Sequence, residues 1–217
     1  MKNLEIDIPL TSVTLKGDLV IPENPVGIIV FSNGRGSSRL NVRNKLIAET
    51  FQKHRIGTLL FDLLTPAEDE IYQNRFNIDL LVGRLIETTE WLMKNPYSKN
   101  TSIGYFGISN GSASALRAAA YFGKLIKSVV SKGGRPDLAL GVLHQVSAPT
   151  LLIVGEKDTP MIENNKIAFD ELESIKEMKI VKGATQLFEE PGTLSEVANL
   201  AVIWYKKHLV KNKELVF

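Results

Sequence analysis

The sequence predicts a single α/β domain, in which a mainly parallel sheet is covered by helices on both faces. The chain has 217 residues, enough for one domain to bury a core without metals or disulfides. Short apolar runs alternate with longer segments whose apolar residues recur at helical spacing. Several of these runs contain hardly any polar residue, which is typical of central parallel strands buried on both faces. We therefore expect one domain over residues 1–217.

The chain opens with two segments in which polar and apolar residues alternate. They are Leu4 to Leu10 (LEIDIPL) and Thr14 to Ile21 (TLKGDLVI), with a turn at Thr11 and Ser12 between them. Alternation with a period of two is typical of strands that place one face in the core and the other in solvent. These segments predict two antiparallel strands at one edge of the sheet.

After this pair, strands and helices follow one another in turn. The predicted strands are Val26 to Phe31, Gly57 to Asp62, Ser102 to Ile108, Ile126 to Ser131, Thr150 to Val154 and Lys179 to Val181. The predicted helices are Leu40 to His54, Ile78 to Asn95, a small-residue helix after Gly111, a short helix to about His144, Met161 to Ser174 and a last helix through His208. Because such connections are right-handed, we expect the functional loops at the carboxyl ends of the strands.

Two further segments carry local signals. Leu63 to Arg75 contains Thr65-Pro66 followed by acidic residues, which predicts a loop over the carboxyl edge of the sheet. Near the end of the chain, Thr193 is followed three residues later by Glu196. This spacing predicts a capping box at the start of the last helix.

The segment Gly107-Ile108-Ser109-Asn110-Gly111 lies between a predicted strand and a predicted helix. A serine with glycines two residues away on each side can sit in a turn too sharp for bulkier neighbours, which leaves its hydroxyl exposed. The pattern therefore predicts a nucleophile elbow with Ser109 as the nucleophile. The alternative is an ordinary glycine-rich turn between a strand and a helix.

A serine elbow of this kind belongs to a triad whose members follow the order serine, acid and histidine along the chain. Asp158 follows the predicted strand TLLIVG in a polar turn, and it is the candidate acid. The expected histidine position falls in the segment GATQLFEEPG after the last strand, where the residue is Gln186. The sequence thus predicts a triad whose histidine is replaced by an amide.

The whole chain resembles the compact, lid-poor α/β-hydrolases of the dienelactone hydrolase-like group. The resemblance rests on the segments FSNGRGSSR, LLFDLLTP, GYFGISNG, SKGGRPDL, APTLLIVGEKD and GATQLFEEPG. It implies an α/β-hydrolase fold without a large cap, and a hydrolase of esters, lactones or thioesters. It also implies Ser109 as the nucleophile, Asp158 as the acid, and an oxyanion hole formed by the N–H of Asn110 and an N–H of Gly34 or Arg35.

The chain departs from the pattern of this group at two positions. Asn33 stands where the group usually has a histidine before Gly34, and its polar side chain could still brace the loop. Gln186 is the more serious change, since an amide cannot accept the serine proton near neutral pH or become a cation. Loss of the histidine from the serine triad of subtilisin costs on the order of 10⁶ in kcat. We therefore expect an inactive or strongly impaired hydrolase.

Two other functions stay open. One is an active carboxylesterase that uses a noncanonical base, and the other is a ligand-binding protein that uses the hydrolase pocket without catalysis. The histidines His54, His144 and His208 are predicted away from the carboxyl edge, so none of them is an obvious substitute. Glu189 and Glu190 are close enough in sequence to be considered as bases.

Several arginines are predicted near the site, and they could draw carboxylate or phosphate groups into the pocket. Balance of surface charge is the alternative role for them. They are Arg35, Arg39, Arg43, Arg75 and Arg135, of which Arg39 and Arg135 are the main pocket candidates. The spacing of Gly34 and Gly36 also invites a nucleotide-binding interpretation, but the third glycine and the Gly-Lys-Ser/Thr ending are missing.

The composition excludes several classes of function. The chain has no cysteine, so thiolate nucleophiles, disulfides and cysteine metal sites are excluded, and its three histidines show no metal-ligand spacing. A net charge of +2 does not indicate a nucleic-acid partner. Without a signal peptide or a membrane-length apolar run, we expect a cytoplasmic protein. We expect a small ester-like ligand and no cofactor, metal, nucleic acid or membrane partner; the sequence leaves the oligomeric state open.

Overall fold

The computed structural model describes residues 1–34 and 38–209. Within them, eight strands form one sheet in the order β1-β2-β4-β3-β5-β6-β7-β8. The strands are β1 (Lys2–Pro9), β2 (Thr14–Ile21), β3 (Gly27–Ser32), β4 (Ile56–Phe61), β5 (Ile103–Ile108), β6 (Ile126–Lys132), β7 (Thr150–Gly155) and β8 (Lys176–Val181). β2 runs antiparallel to β1 and to β4, while β4, β3 and β5 to β8 are parallel. The mainly parallel sheet with an antiparallel N-terminal pair at its edge is confirmed.

The helices connect the strands and cover both faces of the sheet. They are α1 (Val42–Lys53), α2 (Pro66–Glu70), α3 (Ile78–Lys94), α4 (Gly111–Phe122), α5 (Thr159–Glu171) and α6 (Thr193–His208). Turns of 3₁₀ helix lie at Tyr72–Phe76, Gly123–Leu125 and Pro136–Gln145. No helix in the described ranges is long and apolar enough to cross a membrane.

The core consists of two apolar layers, one on each face of the sheet. Every residue of β3, β4 and β7 is buried, which explains why their sequences are almost wholly apolar. One layer contains Leu85 of α3 and Leu116 of α4. The other contains Phe51 of α1 and Tyr205 of α6, whose rings lie edge to face with centroids 5.4 Å apart. The parallel strands therefore end at one common edge, where the connecting loops meet.

The predicted loop at Leu63 to Arg75 is in part helical. Thr65 caps α2: its side chain accepts a hydrogen bond from the Glu68 N–H, while the Glu68 carboxylate accepts one from the Thr65 N–H. Pro66 occupies the first turn, where its missing N–H costs nothing. The signals interpreted as a loop are thus those of a short capped helix.

The capping box predicted at Thr193 is absent from the described structure. Gly192 precedes α6 with φ 84°, and no side chain from residues 1–34 or 38–209 caps this helix. The Thr193 hydroxyl instead donates to the carbonyl oxygen of Glu190 at 2.8 Å. The last strand also begins earlier than expected, at Lys176, because β8 is an edge strand whose polar residues conceal its length.

Candidate active site

Ser109 lies in a sharp turn between the end of β5 and the first residue of α4. Its φ is 52°, in the left-handed region that a non-glycine residue enters at a cost of about 1–3 kcal/mol. A Cβ on Gly111 would lie 2.0 Å from the Ser32 carbonyl oxygen, and one on Gly107 would lie 2.5 Å from Ser112 Cα. Both flanking positions therefore require glycine, as a nucleophile elbow demands.

The elbow is fastened to the turn that follows β6. The Ser109 N–H donates to the carbonyl oxygen of Lys132 at 3.3 Å, and the Arg135 N–H donates to the Ser109 carbonyl oxygen at 3.1 Å. The Ser112 N–H donates to the same carbonyl oxygen at 3.0 Å. These bonds hold the strained serine in place, so that its orientation is set by the backbone of the neighbouring strand.

Gly34 and Asn110 approach Ser109 from two sides. A Cβ built on Gly34 would lie 2.7 Å from Ser109 Cβ and 3.3 Å from the Asn110 nitrogen. The Asn110 N–H donates no hydrogen bond to any residue in ranges 1–34 and 38–209. Its position beside the serine suits an oxyanion donor. Arg35, the other candidate donor from the sequence, lies outside the described residues.

Ser109 lines a cavity of about 250 Å³ at the carboxyl edge of the sheet. Of the residues that the sequence singled out, this cavity brings together Ser109, Gly34 and Gln186, with Arg43 from α1. Its remaining walls are formed by Asn41, Asn44, Ile108, Lys132, Gly133 and Leu187. Lys132 was not among the sequence candidates.

Gln186 shares the cavity with Ser109 but is not joined to it. The residue is exposed to solvent, and its backbone carbonyl lies against Gly133, where an added Cβ would be 2.8 Å from the oxygen. The loop after β8 therefore reaches the Ser109 cavity, but in the described part of the chain no hydrogen bond links its Gln186 to Ser109 or Asp158.

Asp158 follows β7 and forms the N-terminal boundary of α5, although its side chain makes no capping hydrogen bond. Its Oδ2 is buried and receives no hydrogen bond from the described part of the chain. Burial raises the pKa of the Asp158 carboxyl, and the nearby Met161 N–H offsets only part of this rise. The carboxylate thus has an unused acceptor at the position expected for the acid of a triad.

The other candidate side chains are held by partners within the protein. Asn33 is buried, accepts a hydrogen bond from the Asn44 side chain at 2.9 Å and donates to the Phe61 carbonyl oxygen at 3.4 Å. It therefore ties α1 and β4 to the loop after β3. Like Gly34, it also lines a second cavity.

The arginines predicted to line the pocket are paired with carboxylates. Arg39 contacts Glu5, Asp18 and Asp62 at 3.2 to 3.4 Å, so its guanidinium is turned toward the antiparallel edge of the sheet. The Arg135 guanidinium forms bidentate hydrogen bonds with the Asp137 carboxylate, and these bonds raise the pKa of Arg135 above its ordinary value. Neither is among the residues found around the Ser109 cavity.

Arg43 lies at the Ser109 cavity, paired with Glu189, while Arg75 lines the second cavity, paired with Asp69. The three histidines lie elsewhere. His54 contacts the Thr50 carbonyl oxygen at the end of α1, His144 is exposed beside Gln145, and His208 lies against Trp204 at the end of α6.

Of the described residues that line the cavity, Lys132 is the buried charged one, with 5% of its surface exposed. It is the last residue of β6, and its Nζ lies 4.7 Å from the centroid of the Phe188 ring. Burial lowers its pKa to about 8, with a further lowering from Arg43 and a smaller opposing effect from Glu189. The sequence signal was a lysine at the end of an apolar strand, which by itself indicates only a residue at the edge of the sheet.

A second cavity of about 250 Å³ lies on the other side of Gly34. It extends beneath α2, and its walls are Asn33, Gly34, Ser38, Asp62, Leu63, Leu64, Pro66, Asp69, Arg75 and Leu81. Gly34 is common to both cavities, so the loop after β3 forms the partition between them.

Comparison with known proteins gives matches over nearly the whole chain. Residues 15–188 match the model described as "Dienelactone hydrolase family". The crystal structure of a dienelactone hydrolase from Anabaena variabilis ATCC 29413 is 45% identical, has a TM-score of 0.93, and covers 95% of this chain and 98% of its own. Est1E from Butyrivibrio proteoclasticus is 13% identical with a TM-score of 0.81 over 94% of this chain and 98% of its own, a likeness of fold.

Two curated proteins of Mycobacterium tuberculosis, from strains CDC 1551 / Oshkosh and ATCC 25618 / H37Rv, are also similar. Each is named "Putative phosphoribosyl transferase" and is 46% identical over 209 residues, which are 96% of this chain and 47% of the relative. The chain therefore spans about half the length of these relatives.

Proposed function

The chain belongs to the dienelactone hydrolase family, and on that premise we propose that it is a serine hydrolase of esters, lactones or thioesters that works slowly at neutral pH. Its substrate is a small molecule bound beside Ser109. Ser109 is the nucleophile, Gly34 and Asn110 flank the oxyanion, and Asp158 is the remaining acid of the triad. The proposal does not include the phosphoribosyl transferase activity in the names of the mycobacterial relatives, because this chain spans about half their length.

The observation that carries this proposal is the strained serine facing a cavity beside an N–H that has no acceptor within the described residues. Holding Ser109 at φ 52° between two obligatory glycines lowers the stability of the fold, and the strained turn gives no compensating gain in stability. The adjacent Asn110 N–H is what a tetrahedral oxyanion would use, and such donors lower the barrier to acyl transfer by about 2.7–4 kcal/mol.

The slow rate follows from Gln186. A triad histidine accepts the serine proton and is then stabilised as a cation by the acid. An amide does neither, and here it makes no hydrogen bond with Ser109 or Asp158 within the described residues. The buried Oδ2 of Asp158 is left without the donor that an imidazole N–H would supply.

The test is whether Ser109 reacts. The protein is incubated with a fluorophosphonate, which phosphonylates an active serine, and the labelled peptide is identified by mass spectrometry. Hydrolysis of p-nitrophenyl butyrate is followed in parallel for the protein and for Ser109→Ala. We expect the label on Ser109, and a Ser109→Ala variant with no turnover above the background reaction.

Ser38→Ala is the matched control, since Ser38 is an exposed serine in the same region that lines the second cavity and is not among the described residues around the Ser109 cavity. This variant should keep the label and the turnover. A folded protein that leaves Ser109 unlabelled at every pH would refute the hydrolase function. A ligand-binding role would then be supported if small acids or esters raise the melting temperature with increasing concentration.

A further inference from the structure

We propose that Lys132 is the general base that activates Ser109, in place of the triad histidine. The inference rests on the proposed function, because it names the proton acceptor of the same serine. Among the described residues around the Ser109 cavity, Arg43 and Lys132 carry charge, and the rest are asparagines, glycines, a glutamine and apolar residues beside Ser109 itself. Arginine stays protonated in proteins, whereas a buried lysine amine can bind and release a proton.

The register of the sheet brings the two residues together. Ile108, the neighbour of Ser109, pairs with Lys132 across β5 and β6, and the Ser109 N–H donates to the Lys132 carbonyl oxygen at 3.3 Å. Adjacent strands are about 4.8 Å apart, so a lysine side chain of four carbons can span the gap to the serine hydroxyl. Both side chains line the same cavity.

Within the described residues, Lys132 Nζ lies over the Phe188 ring and makes no hydrogen bond with Ser109. Phe188 is itself held in the left-handed region, with φ 55°, and is almost completely buried. The face of an aromatic ring attracts an ammonium but not a neutral amine. Loss of the proton therefore frees the amine to turn toward Ser109, and catalytic hydrogen bonds commonly shorten only when substrate binds.

Burial is the main cause of the lowered pKa of Lys132, and of the charged groups that face it Arg43 lowers the pKa further while Glu189 opposes the change. Arg43 faces it from α1 and Glu189 from the loop after β8, while the neighbouring strands place Ile108 and Ile153 beside it. Glu189 forms its ion pair with Arg43, and no carboxylate pairs with Lys132 in the described part of the chain. With a pKa of about 8 for Lys132, roughly a tenth of the molecules carry the neutral amine at neutral pH.

Ser109, Lys132 and water carry out the proposed reaction. The neutral Lys132 amine accepts the Ser109 hydroxyl proton as Oγ forms a bond to the ester carbonyl carbon, and the negative charge moves to the carbonyl oxygen. When the carbon–oxygen bond to the leaving group breaks, the Lys132 ammonium returns the proton to the departing alcohol. Water then donates a proton to the amine as it attacks the acyl-serine, and the acid leaves as Ser109 recovers its proton.

The test compares Lys132→Arg, Lys132→Gln and the unaltered protein on p-nitrophenyl butyrate, a neutral ester, from about pH 6 to about pH 10. For the unaltered protein we expect kcat/KM to rise with pH and to level off above a midpoint near 8. Both variants should lose at least about a hundredfold in kcat at the plateau, with little change in KM. The Lys132→Arg variant distinguishes a general base from a positive charge, because arginine keeps the charge but cannot act as a base.

Retention of activity and of the pH midpoint in Lys132→Arg would overturn the proposal, because it would show that position 132 needs only a positive charge and not a base. Lys182→Arg is the control, since Lys182 is an exposed lysine after β8. Thermal melting checks that each variant is folded. If Ser109 does not react at any pH, the hydrolase function itself fails, whereas turnover that needs Ser109 but not Lys132 refutes only the base.

A second readout leaves Lys132 in place. Glu189→Gln removes the carboxylate that favours the ammonium, so the pKa of Lys132 falls and the midpoint of the pH profile should move to lower pH. Glu196→Gln, at an exposed glutamate in the first turn of α6, should leave the midpoint unchanged. A midpoint that stays fixed or moves upward in Glu189→Gln would contradict the assignment.

Discussion

Asp158 and Gln186 occupy the two loops that would supply the acid and the histidine of a triad, yet they are not joined. The Asp158 Oδ2 is buried without a donor among the described residues, and Gln186 faces solvent at the mouth of the cavity. The cost of an unsatisfied buried acceptor is about 1–3 kcal/mol. A donor restored at position 186 would therefore act on two groups, the carboxylate and the serine.

We expect Gln186→His to raise kcat/KM for p-nitrophenyl butyrate at least about tenfold near neutral pH. An imidazole can take the serine proton and donate its other N–H to Asp158. The midpoint of the pH profile should also fall toward the histidine range, about 6.5. The double variant Gln186→His with Asp158→Asn should lose most of this gain. If the double variant gains as much activity as the single variant Gln186→His, residue 186 is not at a triad position.

At the residue scale, the sequence predicted those features of the candidate site that depend on residues close together in the chain. Ser109 and its two glycines are recognisable because a tight turn restricts which residues fit. Lys132 was missed because its burial depends on Phe188 and α1, which are distant in sequence, and because a strand-end lysine is ordinarily solvated. The carboxylates that pair with Arg39 were missed because they are distant from it in sequence. Asp137 lies only two residues from Arg135, and that pairing was missed because a long side chain can turn toward any of several carboxylates.

At the element scale, α2 is held to the rest of the protein by a small polar network. Glu68 accepts the Thr65 N–H at 2.9 Å and the Arg84 guanidinium of α3 at 2.7 Å, and Arg84 also donates to the Ser12 hydroxyl at 2.8 Å. Burial raises the pKa of Glu68, but the hydrogen bonds from Thr65 and Arg84 outweigh it, so the net pKa is lowered. The helix above the second cavity thus depends on an ionised Glu68.

We expect Glu68→Gln to lower the free energy of unfolding at neutral pH by about 1–3 kcal/mol. Because the pKa of Glu68 is lower in the folded state, its contribution is complete above the unfolded-state pKa of about 4.3 and is lost as pH falls through the folded value. Urea unfolding at a series of pH values measures the difference between variant and protein. That difference should shrink in acid.

The matched control is Glu70→Gln, at an exposed position of the same helix. Its effect should be within about 0.5 kcal/mol at every pH. A Glu68→Gln effect that persists unchanged in acid would show that lost packing, rather than the charge on Glu68, is responsible.

Element boundaries were predicted well where hydrophobic periodicity is strong, as in α3 and β5. They were predicted poorly where polar residues dominate. β8 was expected to begin at Lys179 but begins at Lys176, since an edge strand needs little apolar surface. α5 was expected to reach Ser174 but ends at Glu171, and Thr65 rather than Thr193 forms a capping box. Capping depends on backbone angles that the Thr-x-x-Glu spacing alone does not specify.

At the scale of the whole molecule, the two apolar layers share one sheet and so should unfold together. Trp91 of α3 packs against one layer and Trp204 of α6 lies in the other, and these are the two tryptophans of the chain. We expect Trp91→Phe and Trp204→Phe each to leave a single fluorescence transition whose midpoint coincides with that of far-UV circular dichroism of the same variant. Two separate midpoints would show that the faces unfold independently.

The mainly parallel sheet with helices on both faces is the part of the architecture that the sequence supported most firmly, whereas the spatial order of the strands was not predicted. Apolar runs without polar residues indicated a parallel sheet buried on both faces, and right-handed connections left few ways to arrange it. The register between strands was beyond the sequence, because a shift of one position leaves an all-apolar strand equally apolar. This register places Lys132 beside Ser109.

Gly34 bears on how this protein could be re-engineered. Among the described residues, Gly34 is the one that lines both cavities of about 250 Å³, and any side chain there would collide with Ser109. Substitutions at position 34 are therefore not tolerated, and directed evolution cannot change the width of the loop that separates the two cavities. Libraries aimed at new ester specificities should leave it untouched and vary the outer walls instead, with Leu187 for one cavity and Leu64 for the other.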